Sequence, residues 1–251
     1  MAIQENPYLP PAARVEDAVI VHGNYIDGGR AVPSGHGWEW IAAGWATFRQ
    51  QPGQWALLAF VFGVVVIAIS LVPFLGSLAL PVMMPVLVGG FMLACARIER
   101  GEDIGVADLF SAFQRGAGPL LILGLIGFGL TIAAMIPAMV LLFMVGFGSG
   151  STKGTFFLLL ALVYIALLVP MYMALWFGPP LVALQELPPG RAIVQSFRGC
   201  LKNIIPFLVY SLVLLPLMVV ATLPLFLGWL VLGPVIVAST YAAYRDIFFE
   251  S

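Results

Sequence analysis

Polar and apolar positions in this chain fall into long blocks. Four stretches, 50–96, 116–152, 154–185 and 203–244, contain no Asp, Glu, Lys or Arg. An apolar stretch of about 18 or more residues without charge reads as a membrane-spanning helix. The first and last stretches are 47 and 42 residues long, so each predicts two helices joined by a turn. The first divides into Trp55–Val72 and a second helix with its core at roughly Val82–Cys95. Between them lies PFLGSLALP, whose Pro73, Gly76 and Pro81 are turn chemistry. The last divides into Ile204–Ala221 and Trp229–Tyr244 around TLPLFLG. The middle two are separated by GFGSGSTKG (146–154), a flexible loop. They are long enough that they must tilt, kink at Pro137 and Pro170, or project beyond the lipid. The pattern predicts an all-α membrane bundle of six transmembrane helices in three hairpins, at about 55–97, 118–184 and 204–244.

Each hairpin follows a short amphipathic segment. In GWEWIAAGWATFRQQ, Trp38, Ile41, Trp45 and Phe48 recur at helical spacing. In VADLFSAFQRG, Val106, Leu109, Phe110 and Phe113 share a face, and AIVQSFRGCLKN brings Ile193, Val194 and Phe197 together. In each segment a small residue precedes a phenylalanine and an arginine follows it: Arg49, Arg115 and Arg198. Such a helix lies flat at the interface, rings in the acyl boundary and guanidinium at the phosphates. Arg49, Arg115 and Arg198 are therefore the candidate lipid-headgroup residues. Trp38, Trp45, Phe48, Phe110, Phe113 and Phe197 are the candidate interfacial anchors. The second halves of the outer hairpins also match, which predicts three copies of one unit with the middle copy lengthened.

Composition agrees with a lipid-facing surface. Apolar residues make up 61% of the 251 and charged ones 9%, against about 25% charged in a soluble domain. Charge also gives the orientation. With six spans, Arg14, Arg30, Arg49, Arg97, Arg100, Arg115, Arg191, Arg198, Lys202 and Arg245 fall on one side, and Lys153 falls alone on the other. Basic loops stay in the cytoplasm, so both termini are expected there. The opening MAIQENPYLPPAARVED lacks a basic region followed by an apolar one, so the first hydrophobic run is expected to act as an uncleaved insertion signal. Residues 1–37 read as an extended cytoplasmic tail and 38–251 as the transmembrane domain. Within the tail, Ala18–Val21 is a β-prone patch suited to docking on a partner or on the protein's own cytoplasmic face.

Several short motifs carry a resemblance: Asn6-Pro7-Tyr8 with Pro10-Pro11, Gly35-x-Gly37-Trp38-x-Trp40-Ile41, and Asp108-Leu109-Phe110-x-x-Phe113. Ser196-Phe197 with Asn203 and Pro206-Phe207 extends it. In these the chain resembles a functionally uncharacterised family of proteobacterial six-pass inner-membrane proteins. It is more distantly similar to the membrane domain attached to some glycerophosphodiester phosphodiesterases. The resemblance implies fold and membrane location. It implies no catalysis, which in the latter proteins belongs to a separate soluble domain.

Candidate chemistry is sparse. The spans hold no ionisable residue other than tyrosines such as Tyr164, Tyr172, Tyr210 and Tyr241, whereas proton-coupled carriers place acids or bases at mid-membrane. Ser70, Thr131, Ser211, Ser239 and Thr240 are expected to bond back to helix carbonyls, and the many glycines to serve close helix packing. His22 and His36 have no cysteine partner, and zinc needs four ligands. Gly35-x-Gly37 lacks a strand–helix context. Cys95 and Cys200 form no C-x-x-C. No cofactor, metal or nucleophile is expected. Glu99, Glu102, Asp103 and Asp108 with Arg97 and Arg100 read as a solvated loop. The net charge of −1 gives no basic signal for nucleic acid. The expected function is a non-enzymatic inner-membrane protein, a lipid-interacting scaffold or accessory subunit of a membrane complex. Its expected partners are lipids and another inner-membrane protein, met through the tail or a helix face. The rival reading is a permease or channel for a small or lipid-like solute.

Overall fold

The computed structural model describes residues 23–146 and 153–250. Among these the chain is all-helical, apart from an isolated antiparallel bridge between Tyr25 and Phe249. Short α1 (His36–Gln50) leads into the pair α2 (Pro52–Ser70) and α3 (Leu75–Glu99). Two single turns, α4 (Val106–Leu109) and α5 (Ser111–Gln114), lead into α6 (Gly118–Gly146) and α7 (Lys153–Trp176). After α8 (Gly178–Gln185) comes α9 (Pro189–Lys202), then α10 (Ile204–Thr222) and α11 (Trp229–Phe248). The expected second amphipathic segment is thus broken into two turns. Most of the expected loop 146–154 lies outside the described residues.

Among the described residues, five segments are long and apolar enough to cross a membrane: Pro52–Ser70, Leu75–Glu99, Gly118–Pro137, Leu160–Gln185 and Ile204–Thr222. The expected sixth lies in α11, where Ser239, Thr240, Tyr241, Tyr244, Arg245 and Asp246 dilute the apolar run. Those polar groups are tolerated because α1, α2, α3 and α10 surround the helix. Tyr210 and Ser239, for example, hydrogen-bond each other at 2.7 Å inside the bundle.

The turn expected over Pro73–Pro81 is shorter than its composition suggests. It spans only 71–74, and Pro81 and Pro85 sit inside α3. In lipid every unpaired backbone group is expensive, so the chain resumes helix at the first opportunity. A proline then forfeits only one bond. The tip closes because Phe74 adopts φ 60 and Gly76 lies against the end of α2, where a Cβ would sit 2.1 Å from the Ile69 carbonyl. The α10–α11 tip repeats the device. Leu225 and Phe226 take positive φ, and Gly228 lies 2.5 Å from Ala221 by the same measure.

Packing is concentrated at one end. Residues Val86–Ile98 of α3, Leu232–Phe248 of α11 and most of α8 are buried or half-buried, while α6 beyond Leu125 and most of α10 are largely exposed and α2 beyond Phe60 has no fully buried residue. Small residues allow the close approaches. A Cβ on Gly37 would meet the Pro206 carbonyl at 2.2 Å, on Gly44 the Val235 carbonyl at 2.6 Å, and on Gly124 the Val82 carbonyl at 2.2 Å. The hydroxyls of Ser70, Thr131, Ser211 and Thr240 bond to carbonyls four residues back, as expected. Where α7 breaks into α8, Ser196 repairs the ladder. Its hydroxyl donates to the Met173 carbonyl and accepts from the Phe177 N–H.

Gly44→Ala and Gly124→Ala should each destabilise the protein by about 1–3 kcal/mol, the usual range for overpacking. Gly63→Ala, with open space around it, should be neutral or mildly stabilising. Thermal unfolding in detergent distinguishes them, and equal effects at all three positions would contradict the packing described.

Candidate membrane-interface site

The polar residues gather where α1, α9 and the end of α11 meet. The second half of the expected tail is built into this region, so the folded body begins well before residue 38. Ile26 N–H donates to the Phe248 carbonyl and Arg30 N–H to the Ile247 carbonyl, each at 2.8 Å. Gly29 makes the crossing possible. It has φ +64, and a Cβ would stand 2.7 Å from the Ile247 side chain. The patch Ala18–Val21, expected to dock, lies outside the described residues.

Three side chains fasten this strap. Asn203, fully buried, donates to the carbonyls of Arg30 and Gly199 and accepts from Val32 N–H, each at 2.8 Å. Gln195 accepts from Gly28 N–H and donates to Asp27. Asp246 joins strap, α1 and α11. Its carboxylate accepts from His36 at 2.7 Å, Trp40 at 2.8 Å and Arg30 at 3.0 Å. Burial alone would raise the Asp246 carboxyl pKa. The hydrogen bonds from His36, Trp40 and Arg30 outweigh it and hold the group below the usual carboxylate range.

The acidic segment is also more ordered than the expected solvated loop. Arg97 binds both Glu102 and the buried Asp108, and Arg100 binds Glu102. The Arg100 hydrogen bond, opposed by slight desolvation and aided by Arg97, lowers the Glu102 pKa. Gln51 ties the loop to the start of α2 through Glu102 and Ile104. Glu99 accepts from Tyr241 and pairs with Arg245 at 3.1 Å. These groups edge a cleft of about 780 Å³ at the ends of α1, α3 and α11. Burial pushes the Cys200 thiol up to about 12, which leaves it protonated and a poor nucleophile.

The candidate lipid residues divide by face. On α1, Trp38 and Trp45 are 58% and 45% exposed and lie on the outer side with Arg49. Phe48 is buried, as is Ile41, so the expected four-residue stripe belongs to two faces. Phe48 still touches the outer one by stacking on Trp45, with centroids 5.6 Å apart. Phe110 is half-buried and Phe113 borders on exposed, and their rings touch beside the exposed Arg115. On α9, Phe197 is half-buried, while Arg198 is exposed with Val194 and Leu201. That helix turns Ala192, Gln195, Ser196, Gly199 and Cys200 inward. Among the described residues, the ion pairs engage Arg30, Arg97, Arg100 and Arg245, and none engages Arg49, Arg115 or Arg198. The three candidates do not converge on one pocket. Arg49 stands on α1 and Arg198 on α9, and Arg115 follows the single turn α5.

A probable inner membrane protein of Burkholderia thailandensis is 31% identical over 193 residues, covering 70% of this chain and 71% of that protein. The chain belongs to that inner-membrane family. No family model and no solved structure matches it. With its several membrane-length helices, this is a multi-pass inner-membrane protein. Of its organising residues, Asn203 is visible in the sequence only as part of a motif, and Asp246 and Gln195 give no signal there. Their partners in the strap lie 167 to 216 positions away, beyond the reach of local spacing.

Asp246→Asn should free the strap at a cost of about 1–3 kcal/mol, the worth of hydrogen bonds to a charged group. Because the native pKa is depressed, the clasp contributes fully above about pH 4 and is lost as pH falls through the native value. Amide exchange at Ile26, Arg30 and Val32 reports it. Unchanged protection in the variant would refute the clasp.

Proposed function

We propose that this inner-membrane protein is a non-enzymatic, lipid-interacting scaffold or accessory subunit. In this reading six helices cross the bilayer as three hairpins, Trp229–Tyr244 of α11 being the sixth crossing, with both termini in the cytoplasm. The observation that carries it is the placement of Arg49, Arg115 and Arg198. Each is exposed, outside the ion pairs among the described residues, and beside exposed apolar side chains on or just past a peripheral helix. A basic residue there is worth about 1 kcal/mol against an anionic leaflet.

The three-copy reading draws support from the two matching tips and from the short helices. α1 packs on α11 and α10, α4 on α3 and α2, and α9 on α7 and α6. Each copy's short helix thus embraces the preceding pair, and the first embraces the last. Satisfied hydroxyls at Thr131, Ser211, Tyr210 and Ser239 favour packed helices over a polar path for solute. The partner would be another inner-membrane protein, engaged through the N-terminal tail or an exposed helix face.

Two experiments test this. Cysteines at positions 34 and 150 should react with an impermeant maleimide from the cytoplasmic and the opposite side respectively; the reverse pattern overturns the topology. Changing Arg49, Arg115 and Arg198 together to Gln should cut anionic-lipid retention in native nanodiscs by about 100-fold at low salt, three contributions of about 1 kcal/mol each. Unaltered lipid and partner recovery would end the headgroup assignment.

A further inference from the structure

In the three-copy arrangement, the second helix of one pair should pack against the first helix of the next. α3 packs along α6, and α11 along α2. The third seam should join α7 to α10, yet among the described residues these helices hardly touch. Between them lies a groove of about 510 Å³, walled by Ile165, Val169, Tyr172 and Met173 on one side and Phe207 and Ser211 on the other. Its closed end is the edge-to-face contact of Trp176 with Phe207, centroids 6.2 Å apart, beside Cys200 of α9.

We propose that this open seam is a binding site for one acyl chain of a bilayer phospholipid. The inference rests on the lipid-interacting, three-copy reading above, but concerns a different place from the arginines. Chemistry narrows the occupant first. No charged side chain lines the groove, and the Ser211 hydroxyl already donates to the Phe207 carbonyl. A polar solute would lose its hydration there without compensation.

Size narrows it further. The wall from Ile165 to Trp176 rises about 16 Å at 1.5 Å per residue. A volume of about 510 Å³ open to atom centres over that rise gives a section of about 30 Å², and with the atoms' own radii a cleft about 9 Å wide. A helix with its side chains is about 10–12 Å across, so a neighbouring span can rest on the rim but not fill the cleft. An acyl chain is slender enough, and the groove opens beside Ile165, Val169, Ile204 and Leu208, all exposed on spanning segments. The α3–α6 seam closes because Gly124 lets the two backbones meet. The groove's lining contains no glycine or alanine, so α7 and α10 stay apart.

The test uses the full chain in nanodiscs of phosphatidylethanolamine and phosphatidylglycerol doped with a phospholipid bearing a diazirine on its acyl chain. After irradiation, adducts mapped by mass spectrometry should fall on 165–176 and 204–211 about tenfold more often than on Phe60–Ile67, an exposed face of α2. Met173→Trp, which fills the groove, should return labelling to the α2 level; Val169→Trp at the rim serves if that variant does not fold. The triple arginine variant should keep the enrichment. Equal labelling of α2 and the seam, meaning annular lipid only, overturns the proposal, as does a protein cross-link spanning the groove. Lost headgroup dependence with retained enrichment would leave the site standing. Uniform labelling with headgroup dependence intact would remove the site and spare the arginine reading.

Discussion

The Asp246 carboxylate is the point on which the polar end of the molecule depends. Desolvating a carboxylate is costly unless donors replace the water. Here the donors come from three places in the chain: Arg30 in the strap, His36 and Trp40 in α1. Satisfying that one group therefore fixes where the strap runs and how α1 is rotated. The rotation has a consequence for the surface. With Trp40, Ile41, Gly44 and Phe48 held inward, Trp38, Trp45 and Arg49 must face outward. The outward stripe on α1 is thus the reverse side of a half-buried ion cluster.

Asn203 plays the same part for α9. It binds the strap with both ends of its amide and also caps the Gly199 carbonyl. Ser196, on the same helix, repairs the α7–α8 break. With its short and polar residues committed inward, α9 is left to present Val194, Arg198 and Leu201 to the surroundings.

The spans were legible in the sequence because lipid imposes one strong rule, that long uncharged stretches become helices. Hydroxyl back-bonding and glycine packing followed from the same rule. The inner and outer faces of α1 were not legible, since a helix rich in Trp and Phe on both sides has no single apolar face to read. Pro81 misled for a related reason, its turn-forming tendency in water being overridden where backbone groups have no water to turn to. Asp246 could not be found by spacing at all. Its meaning comes from Arg30, His36 and Trp40, two hundred residues earlier. The candidate arginines were legible as a pattern, but their separation from the internal ion pairs is a property of the fold.

The uneven packing has a physical cause. Lipid gives helices no hydrophobic reason to associate, so they meet only where small residues permit contact or polar groups demand it. In this protein both conditions hold toward one end: Gly37, Gly44 and Gly90 meet neighbouring backbone there, and Asp246, Asn203 and Arg97 are satisfied there. Toward the other end the helices carry bulky aliphatic and aromatic side chains, and the glycine contacts at Gly76 and Gly228 stay within their own pairs. Gly63 and Gly129 in that half have open space around them, so small residues are present there without drawing a neighbouring helix close, and lipid solvates the bulky side chains equally well. The pairs are therefore bound together at the polar end and left apart at the apolar one, and what fills the space between them must be as apolar as the bilayer itself.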